Sequence, residues 1–155
     1  MKKKYFLILA ATLTVIAACN NAPESTSQVE PTAPKTREDS LFHDIMMAHD
    51  AAMPKIGKLK SYQSLVTKQL DSLSGLPAKE QINAAGYKEQ MTALLDSLQY
   101  ADMAMDKWMT EFVPDSASND PAMRIKYLEN EREKAMKMRD HVLASVERAK
   151  EMLHQ

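Results

Sequence analysis

The sequence predicts an all-α protein, an elongated antiparallel three-helix bundle or coiled coil. Glycine is scarce, with Gly57, Gly75 and Gly86 the only three, and the long stretches between prolines are rich in Ala, Leu, Met, Lys, Glu and Gln, which favour helix. Apolar residues recur at alternating spacings of three and four, without a sustained period of two. Turn signals separate three long segments, and short connections between long helices make antiparallel neighbours.

The first segment, from about Asp39 to Leu73, carries a seam of Phe42, Ile45, His49, Ala52, Ile56, Leu59, Gln63, Val66, Leu70 and Leu73. His49 and Gln63 are its two polar members, and the rest form the stripe of a helix packing lengthwise on a partner. Ser74-Gly75-Leu76-Pro77 supplies the stop and the turn. The second segment, from about Ala78 to Val113, aligns Ala84, Tyr87, Met91, Leu94, Leu98, Ala101, Met105, Trp108 and Phe112. After a polar loop over 114–119, Asp120-Pro121 reads as an N-cap followed by proline in the first turn. The third segment runs to Gln155 with Leu128, Ala135, Met138, Val142, Ala149 and Met152 in line, interrupted by Glu131 and Ser145. This weaker seam leaves room for a fourth helix from a partner or a second copy. Helices of about thirty-five residues reach on the order of 50 Å.

The N-terminal residues carry a different pattern. Lys2, Lys3 and Lys4 precede an apolar run from Tyr5 to Ile16 and two small residues, Ala17 and Ala18, the order of a secretory signal. Ile16-Ala17-Ala18-Cys19 resembles the bacterial lipobox, which implies cleavage after residue 18, lipidation of Cys19 and attachment to a membrane. Cys19 is the one cysteine of the chain, so no intramolecular disulfide can form. The resemblance implies more than one acyl chain, which holds a protein far more firmly than a single chain does. Asn20 lacks the aspartate associated with inner-membrane retention in some bacteria, so the expected location is the cell envelope, at the outer membrane. Residues 19–39 read as the lipidated cysteine and a polar, proline-punctuated tether reaching about 25 Å as a coil. Residues 40–155 read as the helical domain.

Without the leader, seventeen Lys and Arg face twenty-one Asp and Glu. No basic stripe points to nucleic acid as a partner. Motifs for zinc hydrolysis, c-type haem attachment, redox dithiols and phosphate loops are absent from the sequence, and the acidic residues fall mainly on polar helix faces. The expectation is a non-enzymatic protein whose partners are the membrane, through its lipid, and another protein or a second copy, through its helices.

The stretch with most chemical character is HDIMMAHDAAMP, residues 43–54. At about 100° per residue His43 and His49 lie roughly 120° apart, so the two His-Asp pairs cannot share a site. Met46, His49 and Met53 do share a face. Counting from a first turn near residue 77 places Met105 level with His49 and Met109 near Met46, with Trp108 beside them. One imidazole and thioethers suit Cu(I) or Ag(I), and an aromatic face assists; a His/Met axial pair also suits haem. The metal or haem candidates are therefore His49, Met46, Met53, Met105 and Met109. Packing is the first reading, because methionine is an adaptable core filler and a lone histidine can donate to a carbonyl or carboxylate. Pro54 removes a backbone donor and predicts a kink. Counting from a second turn near residue 117 places Leu128 to Glu131 opposite Met105 and leaves Met138 and His141 outside this cluster. His154 is expected to be exposed.

The segment His43 to Pro54, taken with MAMDKWM at Met103 to Met109, resembles small helical bacterial envelope lipoproteins often labelled "viral A-type inclusion protein". That resemblance spans most of residues 40–153. It implies a helical lipoprotein and carries over no established site.

Overall fold

A computed structural model describes residues 36–154, and the signal, lipidation and most of the tether expectations lie outside them. The described residues form α1 (Arg37–Ala52), a 3-10 turn (Met53–Lys55), α2 (Ile56–Ser74), α3 (Ala78–Asn83), α4 (Ala85–Glu111) and α5 (Pro121–Met152). No strand occurs among them. The all-helical bundle expected from the apolar spacing is the observed fold.

Each boundary has a local cause. Thr36 accepts from the Asp39 N–H while the Asp39 carboxylate accepts from the Thr36 N–H, a reciprocal cap that satisfies two donors otherwise left open. The last three residues assigned to the tether therefore belong to α1. Pro54 sits in the first turn of the 3-10 segment, where its missing N–H deprives the helix of a regular bond. Gly75 closes α2 by donating to Asp71 O and Ser72 O. The second segment differs from the single helix expected: it breaks at Ala84, whose φ of −90° and ψ of 0° separate α3 from α4. At α5 the Asp120 carboxylate accepts from the Ala122 and Met123 N–H groups, 3.0 Å each, and Pro121 has no N–H to satisfy.

Polar contacts along the seams mark the direction of each helix pair. Gln63 Nε2 donates to Leu98 O at 3.1 Å, and Lys60 Nζ lies 3.5 Å from Asp102 Oδ1, joining α2 to α4. Arg124 Nε reaches Glu38 Oε1 and Arg132 Nε reaches Asp44 Oδ2, both at 2.9 Å, joining α5 to α1 in parallel. The kink at Met53–Lys55 hands the first rod from one neighbour to the other: α1 packs chiefly on α5, and α2 chiefly on α4.

One core runs the length of this unit. Ile45 and Ala52 of α1, Leu59, Tyr62 and Val66 of α2, Met91, Leu94, Leu98 and Met105 of α4, and Leu128, Ala135, Met138 and Val142 of α5 are buried. Burying one such large side chain contributes about 1.5–3 kcal/mol. Tyr62 replaces Gln63 as the buried member of that turn, which leaves Gln63 at the edge of the seam, free to reach the Leu98 carbonyl. Tyr87, assigned to the buried stripe, is exposed instead and donates to Gln69 Oε1 at 2.9 Å; it lies in the first turn of α4, beside the break. Glu131 and Ser145, the two interruptions of the third seam, are both buried.

The α4–α5 register is the main correction. Tyr100 meets His141, with ring centroids 4.8 Å apart, and Ser97 meets Ser145, so the pairing centres near residue 121 and not 117. The cause lies in the connection. Residues 112–120 fold back along the first turns of α5, where the Val113 N–H donates to Tyr127 Oη at 2.8 Å and the Arg124 guanidinium donates to Ser116 O at 2.9 Å. Those turns thus overhang the end of α4 and shift its partners toward the C-terminus of α5.

Candidate functional site

The two His-Asp pairs of residues 43–50 do different work. His43 is exposed, and its neighbour Asp44 binds Arg132 across the α1–α5 seam. His49 is half-buried, and its Nδ1 lies 2.9 Å from Asp50 Oδ1. With Nδ1 donating to that carboxylate, Nε2 is the free ring nitrogen, the arrangement that orients histidine ligands in metal sites and equally one that satisfies a structural histidine.

His49 packs on Trp108 at 5.8 Å between ring centroids. Trp108 stacks on Phe112 at 4.9 Å, Phe112 lies 6.2 Å from Phe42 and 6.4 Å from Tyr127. This aromatic group fills the gap between α1 and α4, whose backbones stand apart because α1 leans on α5. Such contacts add about 0.5–1.5 kcal/mol per pair beyond burial. Periodicity marked Phe42, His49, Trp108 and Phe112 as seam positions, but Tyr127 falls off the third seam and was not marked.

The sulfur atoms of the sequence candidates are spread over different environments. Met105 is fully buried and Met46 half-buried, whereas Met53 and Met109 are 44% and 39% exposed. Of the five residues, only Met105 belongs to the core. His49 is level with Trp108, one turn from Met105, close to the layer counted from the first turn. Among the described residues no three His, Cys, Asp or Glu side chains gather where they could hold a metal ion.

A second cluster lies where the shifted register puts it. Tyr100, Met103 and Trp108 of α4 and Met138 and His141 of α5 line one cleft of about 230 Å³. Met138 and His141, set apart from Trp108 by a turn near 117, are thus brought beside it. Met103 is 58% exposed and Met138 buried. Lysines rim this cleft, each held by a carboxylate: Lys107 by Glu111 at 3.4 Å, Lys134 by Glu131 at 2.7 Å, Lys137 by Glu133 at 2.6 Å. Hydrogen bonding to Glu131 and Glu133 raises the pKa of Lys134 and Lys137 above the ordinary lysine value, and Lys137 lowers that of Glu133. The signal for this cluster was in the sequence as the i, i+3 pair Met138–His141; the loop's path was not.

On another flank, Ala78, Ile82, Ala85 and Ala93 line a wide furrow of about 810 Å³ where α3 meets α4, with Lys88, Glu89 and Asp96 around it. Ile82 is 75% exposed. No helix among the described residues is long and apolar enough to cross a membrane. No protein-family model, curated protein or solved structure matches this chain.

Proposed function

We propose that this protein is a lipid-anchored, non-enzymatic component of a bacterial cell envelope, placed at the outer membrane, which binds an amphipathic helix of a partner protein along α3 and α4. The observation that carries the binding surface is Ile82, a large apolar side chain three-quarters exposed in a furrow whose other apolar lining is Ala78, Ala85 and Ala93, with Gln81 and Thr92 among its polar lining. Small walls let a second helix approach closely, and an exposed isoleucine offers it an anchor. Lys88, Glu89 and Asp96 supply a charged margin of both signs, as expected for a polar rim around an apolar centre. The anchor is supported by the lysines, apolar run and Ala17-Ala18-Cys19 of the leader. The polar, proline-punctuated residues between Cys19 and the bundle are the proposed spacer.

The anchor is tested by feeding cells an alkyne fatty acid: the native chain should label and float with membranes, and Cys19→Ser should do neither. The surface is tested by a photo-crosslinking residue at position 82, with the exposed Arg148 of α5 as control. A discrete adduct from position 82, abolished by Ala93→Glu, supports the reading. Equal adducts from both positions, or none, exclude α3–α4 as the binding face.

A further inference from the structure

We infer that Met103, Met138 and His141 form a binding site for a soft monovalent cation, Cu(I) or Ag(I), in the cleft between α4 and α5. Met138 and His141 are one turn apart on α5 and share a face. Met103 is one turn along α4 from Tyr100, whose ring meets the His141 ring edge-on at 4.8 Å. All three line the same cleft. Two thioethers and an imidazole are the donor set that selects a soft cation over Mg²⁺, Ca²⁺ or Mn²⁺. Thioether and imidazole nitrogen ligands bring no negative charge, which suits one positive charge better than two.

The surroundings fit an ion better than an organic molecule. At about 230 Å³ the cleft is smaller than the roughly 300–1,000 Å³ of sites that enclose drug-sized ligands. Met103 cannot be explained as a core filler, since more than half of its surface meets solvent. The three lysines would repel a cation if they were free, but Glu111, Glu131 and Glu133 pair with them one to one. Trp108 and Tyr100 bring aromatic rings to the same cleft, and a ring face attracts a bound cation through its quadrupole. Its three ligands belong neither to the α3–α4 furrow nor to the His49 set, and Trp108 borders both His49 and this cleft.

The test uses the full chain carrying Cys19→Ser, which removes its only thiol, and Ag(I) as an air-stable probe alongside Cu(I) held by a competing chelator. Methyl resonances of ¹³C-labelled methionine report each thioether in the folded protein. The expected result is one-to-one binding, shifts at Met103 and Met138, and affinity about tenfold or more weaker in Met103→Leu and in His141→Gln, a loss of about 1.4 kcal/mol per tenfold step. His49→Gln should bind as the parent does. Shifts confined to Met46, Met53 or Met109, or no binding tighter than about millimolar, would overturn the assignment.

Discussion

Ser97 and Ser145 meet hydroxyl to hydroxyl at 2.8 Å across the α4–α5 seam, and Ser145 also donates to Ser97 O at 3.2 Å. With Ser145 committed to the carbonyl, the Ser97 hydroxyl donates to Ser145. A buried serine interrupting an apolar stripe is thus satisfied locally, and it allows the two backbones to approach. Ser145→Ala should cost about 0.5–1.5 kcal/mol in chemical denaturation. Ser145→Leu should cost more, about 1–3 kcal/mol through overpacking; a leucine that stabilised the fold would place this seam elsewhere.

Glu131 is the second interruption and the more consequential one. It is 3% exposed, one carboxylate oxygen binds Lys134 and the other has no partner. Lys134→Ala should destabilise by about 1–3 kcal/mol, the cost of an uncompensated buried group, while Glu131→Leu with Lys134→Ala should restore stability to the parent value or above it. A double variant weaker than Lys134→Ala alone would contradict this account.

The same pair sets a dependence at high pH. The pKa of Lys134 is raised from 10.5 by its hydrogen bond to Glu131. A raised lysine contributes stability that is complete below its unfolded value and is lost as pH rises through its folded value. Denaturation midpoints should therefore be level in this respect through neutral pH and fall above about pH 10.5. Comparison with Lys134→Met isolates the effect: the parent should lose more stability than the variant over that alkaline range.

Trp108 is buried, stacked on Phe112 and packed against His49, yet its indole N–H has no acceptor. Trp108→Ala should cost about 3–5 kcal/mol. Trp108→Phe should cost less than about 1.5 kcal/mol, because it keeps the stack and removes an unpaired donor. As the single tryptophan, Trp108 also reports its neighbour: His49→Ala should shift its emission to longer wavelength while circular dichroism stays helical.

How much of this was legible in the sequence follows from how far each signal reaches. Spacings of three and four located three helical rods, and Pro54 marked the kink, because both act within one or two turns. Glu131 and Ser145 were visible as breaks in a stripe; that both are buried, with Ser145 satisfied by Ser97 and one Glu131 oxygen left without a partner, depends on how the helices pack. Ala84 carries no breaker signal, so the division of α3 from α4 could not be read. The α4–α5 register was misplaced for a definite reason: counting outward from a loop's midpoint assumes a symmetric turn, whereas residues 112–120 run back along α5 through Val113 and Ser116. That shift moved Met138 and His141 beside Trp108 and changed which methionines share a cleft.

The cleft assigned to a soft cation therefore depends on that register, and disulfide mapping tests it most directly. In the full chain carrying Cys19→Ser, the pair Ser97→Cys and Ser145→Cys should close into an intramolecular disulfide under mild oxidation, read as an electrophoretic shift reversed by reductant. The pair Ser97→Cys and Lys137→Cys, matched by a symmetric turn at 117, should remain reduced. Ready closure of the second pair with failure of the first would contradict the register, separate Met103 from Met138 and His141, and return the methionines of α4 and α5 to unrelated positions.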